Sequence, residues 1–159
     1  MCPIMTLPTL PLEGVCRCNA VQIRVTAPPL LECACHCRGC QRMAASAFSL
    51  TAIVPASGFE VVRGQPVLGG MRAPELPHFF CGECMTWMFT RPAALPDVVN
   101  VRPTMLEDHG WFAPFMETYT STRLPWAETG AVRSFETFPP MEGFGELLEA
   151  YRAWRAAHA

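Results

Sequence analysis

The sequence predicts a mainly β domain: short strands gathered around clustered cysteines and closed by one C-terminal α-helix. Three observations predict it. Apolar and polar residues alternate in several short runs separated by Pro and Gly, the signature of half-buried strands. Cysteines fall in tight groups, C-x-C, C-x-C-x-x-C and C-x-x-C. Only the last stretch of the chain carries apolar residues at helical spacing.

The totals bound the answer. A chain of 159 residues that is 50% apolar fits one domain with its own core and excludes disorder. All twelve basic residues are Arg, and the net charge is −2 with no basic patch. That argues against nucleic acid as a partner. The absence of Lys excludes Schiff-base chemistry by a side-chain amine. No apolar run approaches the ~18 residues that a membrane helix needs, so no membrane span is expected. The N-terminus lacks a charged n-region and is broken by Pro3 and Pro8, so no secretory signal is read there. Nine cysteines, an odd number, in a chain with no such signal suit metal ligation in a reducing cytoplasm better than disulfides. C-x-C spacing would also strain an internal bridge.

In chain order, residues 1–12 read as an irregular, Pro-punctuated arm, with Cys2 a free thiol. Val21, Ile23 and Val25 alternate with Gln22 and Arg24 as a strand, which Pro28 and Pro29 end. Asn19 suits the left-handed turn leading into it. Leu30 to Cys35 forms another strand, and Arg38 to Ala45 a short helical turn. Ser46 to Val54 reads as a strand, and residues 59–64 and 67–71 as a hairpin around Gly64-Gln65-Pro66. His78 to Cys81 is a strand ending in the Cys81-Gly82-Glu83-Cys84 knuckle. Residues 87–89, 98–102 and 115–119 add β segments. Phe144, Leu147, Leu148, Tyr151 and Trp154 then fall on one helical face within 141–159. Early Glu146 and Glu149 and late Arg152 and Arg155 match the helix dipole.

Seven thiols thus stand in three clusters: Cys16/Cys18, Cys35/Cys37/Cys40 and Cys81/Cys84. The period-two geometry of extended chain puts Cys35 and Cys37 on one side and His36 on the other. A turn through Arg38-Gly39 returns Cys40 toward the pair. Three soft ligands suit Zn²⁺ and leave one tetrahedral corner open, as catalytic zinc requires. The simplest partition is a closed site of Cys16, Cys18, Cys81 and Cys84 beside the open triplet. A rival ribbon of Cys37, Cys40, Cys81 and Cys84 has an unusually long spacer and leaves three thiols idle. Cys33 shares parity with the triplet and reads either as a further ligand or as a buried small hydrophobe. A redox role for Cys81-x-x-Cys84 is disfavoured, because a strand-end knuckle lacks the helix N-terminus that lowers a thiol pKa.

These motifs resemble the glutathione-dependent formaldehyde-activating enzyme family and its centromere-protein-V-type relatives. The matching pieces are Gly14-Val15-Cys16-Arg17-Cys18-Asn19-Ala20-Val21, Cys35-His36-Cys37-Arg38-Gly39-Cys40-Gln41-Arg42 with Ser46 and Phe48, and Phe80-Cys81-Gly82-Glu83-Cys84-Met85-Thr86. Weaker pieces are Met105-Leu106-Glu107-Asp108 and Phe135-Glu136-Thr137-Phe138-Pro139. The resemblance spans residues 13–140 and implies an Mss4-like (β-tent) fold of small antiparallel sheets. It implies two zinc ions per chain: a structural one on Cys16, Cys18, Cys81 and Cys84, and a catalytic one on Cys35, Cys37 and Cys40. The implied activity is a carbon–sulfur lyase reaction that forms or cleaves S-(hydroxymethyl)glutathione, with glutathione or another thiol as cosubstrate and a small aldehyde as its partner. Other Mss4-like folds imply the competing reading, a non-catalytic zinc module that binds a protein. A fourth ligand from His36, His78 or Cys33 would favour that module. Asn19, Ala45 and Met85 stand where the family usually has Gly, so altered backbone is expected near both sites. His36 reads as a proton relay or as a packed residue. Arg38 and Arg42 read as binders of a substrate carboxylate or as solvated charges. Glu107 and Asp108 read as loop charges.

Overall fold

The computed structural model describes residues 7–159, so Cys2 and half of the expected N-terminal arm lie outside the described residues. The strands, in order, are β1 (Leu12–Val15), β2 (Gln22–Val25), β3 (Leu31–Cys35), β4 (Ser49–Pro55), β5 (Phe59–Arg63), β6 (Pro66–Gly69), β7 (His78–Cys81), β8 (Trp87–Thr90), β9 (Val98–Val101), β10 (Met116–Thr118) and β11 (Arg133–Ser134). The helices are α1 (Arg38–Ala44) and α2 (Phe144–Ala157). Among the described residues no helix is long and apolar enough to cross a membrane. The protein is mainly β, with small sheets and one C-terminal helix.

Two compact units divide the chain, which passes between them within β4. The first holds Leu30–Thr51 and Trp111–Ala159. Here β3 lies beside β10, and β10 beside β11. Both of these pairings are parallel, with Cys33 opposite Met116 and Cys35 opposite Thr118. They depart from the expected antiparallel pattern because β10 returns after a long excursion, and only a tight hairpin forces antiparallel pairing. Leu147 and Tyr151 of α2 are buried with Leu31, Phe115 and Met116 of the same unit. Arg155, expected to complement the helix dipole, is instead buried. Its Nε donates to Glu32 Oε1 of β3 at 2.7 Å and its Nη2 to the Trp111 carbonyl at 2.8 Å. Tyr151 donates to the same carboxylate. Burial pushes the Glu32 carboxyl up, against the pull of Arg155, Tyr151 and the Ala113 amide. The helix therefore docks by a buried ion pair as well as by its apolar stripe.

The second unit holds Pro8–Pro29 and Ala52–Gly110. One sheet runs β1-β2-β5, and a second series runs from the end of β4 through β9, β8 and β7 to β6. Every recorded pairing here is antiparallel. Ile23 and Val25 of β2 are buried, as their alternation predicts, and β8 is buried along its whole length. Phe89 packs between Phe59 and Phe79, with ring centroids 4.8 Å away on each side. The hairpin expected around Gly64-Gln65-Pro66 does not form: β5 pairs with β2, whereas β6 pairs with β7. Gly64 explains why. It takes φ +80°, and a Cβ there would lie 2.3 Å from the Ala20 carbonyl oxygen, so this bend packs against the segment after Cys18. Gly14 is similarly committed, because a Cβ there would lie 2.8 Å from the Met105 carbonyl oxygen. The Met105–Asp108 stretch thus serves β1, and Glu107 and Asp108 are exposed.

Candidate metal centres

The four-sulfur site is built from two turns, each carrying a residue in the left-handed region. After β1, the Asn19 amide donates to the Cys16 carbonyl at 3.0 Å, and Asn19 takes φ 62°. After β7, the Met85 amide donates to the Cys81 carbonyl at 3.0 Å, and Met85 takes φ 56°. Each turn presents two thiols toward the other. The sulfurs of Cys16, Cys18, Cys81 and Cys84 all lie within 4.8 Å of one another. Cys18 Sγ is 3.6 Å from Cys16 Sγ and 3.7 Å from Cys81 Sγ. Four bonds of about 2.3 Å to sulfur make a tetrahedron with edges of about 3.8 Å. The separations fit that tetrahedron and are far too long for a disulfide, near 2.05 Å. The Val21 amide donates to Cys16 Sγ at 3.3 Å, as a thiolate ligand invites. The Thr86 hydroxyl holds Cys84 down to about 5. The Ala20 amide pulls Cys18 the same way, but burial and the neighbouring sulfurs outweigh it and raise Cys18 to about 12. A cation held between the four sulfurs would stabilise all of them as thiolates.

The triplet is made locally. β3 delivers Cys35, the chain alternates through His36, and Cys37 becomes the N-cap of α1, with the Cys40 amide donating to its sulfur at 3.3 Å. The three sulfurs lie within 4.8 Å of one another. A hydrogen bond from the Cys40 thiol holds Cys35 down to about 5, and the same contact pushes Cys40 up. A dication would relieve that conflict by stabilising all three thiolates. Among the described residues no fourth His, Cys, Asp or Glu joins the group. Cys33 is buried outside it, opposite Met116. His78 belongs to the second unit and pairs with Thr90 Oγ1 at 2.8 Å. Cys81 and Cys84 sit with Cys16 and Cys18, which excludes the rival ribbon.

His36 is fully buried, and its Nε2 lies 2.9 Å from Glu117 Oε2. Its carbonyl accepts from Gln41 Nε2 at 2.8 Å, and Gln41 Oε1 in turn accepts from Arg38 Nη1. Arg38 and Arg42 are exposed on α1 and line an open groove of about 490 Å³ with Gln41, Ser46, Leu124 and Trp126. Gln41 therefore joins the ligand-bearing segment to a guanidinium at the groove. Sequence reasoning missed Gln41, Glu117 and Trp126. Gln41 sits inside the second cysteine motif and Glu117 is a carboxylate within the β segment 115–119, so both left a trace. An exposed Trp after Pro125 left none. Ala45, at the end of α1, takes φ 48°. Asn19, Ala45 and Met85 thus all occupy the left-handed region that glycine favours.

A mainly β protein carrying two thiol clusters fit for metal, one closed and one open, defines a class of candidate metalloprotein. The chain belongs to the glutathione-dependent formaldehyde-activating enzyme family, whose family model matches residues 11–122. A crystal structure of a Rhodobacter sphaeroides protein is similar, at 26% identity and a TM-score of 0.48, covering 60% of this chain and 88% of that one. No curated protein matches.

Proposed function

We propose that the protein is a zinc-dependent carbon–sulfur lyase that joins a small-molecule thiol to a small aldehyde, or cleaves the adduct. In this reading it holds two zinc ions and works in the cytoplasm. One observation carries the reading: three thiols converge within 4.8 Å with no fourth protein ligand among the described residues, while a second cluster is complete with four. Family membership supplies the substrate class, glutathione and formaldehyde or close analogues.

Zinc bound by Cys35, Cys37 and Cys40 would stabilise a substrate thiol as thiolate near neutral pH. The chain's own residues supply position. Arg38, steadied by Gln41, and Arg42 present guanidinium groups to a carboxylate of the thiol substrate, a bidentate match. The net step forms one C–S bond, as the thiolate sulfur attacks the aldehyde carbon and the carbonyl oxygen takes the proton that the thiol gave up. Between the two roles open to His36, its burial and its bond to Glu117 support packing over proton relay. The test is metal analysis together with a panel of thiols and aldehydes followed by NMR. Two zinc ions per chain and adduct formation faster than the uncatalysed rate are expected. Two zinc ions without any rate effect would favour the protein-binding module.

A further inference from the structure

We propose that Glu117 is a positioning residue for the triplet, acting through the His36 ring to keep the open corner free. The proposal rests on the triplet being a metal site and on no reaction there.

His36 stands between two ligands and carries an imidazole, itself a favoured zinc ligand. Strand alternation sends the ring away from the sulfurs, but a rotation of this short segment would turn it back. Three contacts oppose that rotation at the main chain. The His36 amide donates to the Thr118 carbonyl at 2.9 Å, and its carbonyl accepts from Gln41 at 2.8 Å and from the Thr122 hydroxyl at 3.0 Å. The side chain has much less. Nδ1 is buried with no hydrogen-bond partner, so the bond from Nε2 to Glu117 is the ring's single hydrogen bond. Phe48 adds only an edge contact, with ring centroids 5.4 Å apart.

Glu117 is built for the task. Its carboxylate is buried on β10, where Glu117 is in register with Ala34, two residues before His36. Thr129 Oγ1 donates to it at 2.8 Å, Ser134 Oγ at 2.7 Å and Arg123 Nη1 at 3.2 Å. Four donors fix the direction of an acceptor whose exchangeable partner is the ring beside the ligands. Losing that acceptor leaves His36 with two buried unpaired nitrogens, a penalty that turning the ring toward the metal would relieve.

The full chain loaded with Co²⁺ in both sites tests this, with a chelator competing for each ion and the two sites followed by their visible spectra. Glu117→Ala should let the His36 ring take the open corner, so that cobalt at the triplet resists the chelator more strongly and its visible bands shift, while the four-sulfur site is unchanged. Glu117→Gln keeps an acceptor for Nε2–H and should stay close to wild type. His36→Phe removes the competing imidazole and should keep the wild-type bands, and adding it to Glu117→Ala should abolish the change that the single variant shows. If Glu117→Ala does not fold, Thr129→Val combined with Ser134→Ala should give a smaller change of the same kind confined to the triplet. Equal changes at both sites, no change at the triplet, a Glu117→Gln variant that behaves as Glu117→Ala, or a change that persists in the double variant would overturn the proposal. Wild-type protein taking cobalt at the four-sulfur site alone would instead contradict the metal reading beneath it.

Discussion

The two sulfur clusters use the same ligand atom and differ in how the chain assembles them. Cys18 and Cys81 are 63 positions apart, so the four-sulfur site ties the turn after β1 to the turn after β7. Cys16 and Cys81 are buried in that tie. The triplet spans six residues at the junction of β3 and α1, and all three of its cysteines are half-exposed. A metal in the first site crosslinks distant segments and contributes to folding; one in the second orders a single segment and faces solvent. Ligand number points the same way, since three sulfurs hold an ion less firmly than four. In the proposed reading the closed site is a staple and the open one a workplace.

The comparison is broken most directly by mutation. Cys81→Ser should cost several kcal/mol, less than the roughly 10 kcal/mol that zinc supplies in small zinc domains because this chain has a core of its own. Thermal unfolding with and without chelator measures it, and wild-type-like melting would refute the staple. Cys37→Ser should melt within a few degrees of wild type yet lose thiol-dependent adduct formation, so equal destabilisation by the two variants would erase the distinction. Graded chelation sharpens the same point, with the triplet metal leaving first and the melting temperature falling only when the second ion follows.

A smaller effect concerns pH. Burial pushes Glu117 up, but hydrogen bonds from Ser134, Thr129 and His36 outweigh it and hold its carboxyl below the ordinary range. A depressed folded pKa contributes stability that is present above the unfolded value near 4.3 and is lost as pH falls through the folded one. Glu117→Gln should therefore flatten the acid limb of the stability profile between those two values and leave its slope above them unchanged. Unfolding midpoints across that range check this; an unchanged acid limb would mean the carboxylate is no better held in the folded chain than in the unfolded one.

The smallest effect lies in the backbone. Ala45 and Met85 hold positive φ, which costs an L-residue about 1–2 kcal/mol. Replacing either by Gly relieves that strain against a larger loss of chain entropy, for a net gain of about 0.5–1 kcal/mol. Calorimetry of Ala45→Gly and Met85→Gly should show slightly raised melting temperatures, and a fall at either would show that its side chain supplies compensating contacts.

Much of this was legible in the sequence, for physical reasons. Period-two alternation marked β2, and the apolar stripe marked α2, because burial on one face writes itself into the chain. Spacing favoured the partition of seven thiols into four and three over the rival ribbon, since C-x-C and C-x-x-C turns can each present two sulfurs to one point. What was not legible depended on partners distant in the chain. Arg155 looked like a surface charge because Glu32 lies far away in sequence. Residues 59–71 looked like a hairpin because nothing local reveals that Gly64 must pass the Ala20 carbonyl. Glu117 looked like one acid in a strand because its four donors come from four different segments.

The central claim, that the triplet keeps a corner for substrate sulfur, is tested most directly by cobalt spectroscopy. With Co²⁺ in both sites, glutathione, cysteine and a simple alkyl thiol are titrated separately while the visible bands are followed. The account predicts a saturable change in the triplet's spectrum with at least one thiol, absent in Cys37→Ser, while the four-sulfur site's bands stay fixed. A spectrum unmoved by every thiol would mean that the chain already fills the corner, and the enzyme reading would give way to the binding module.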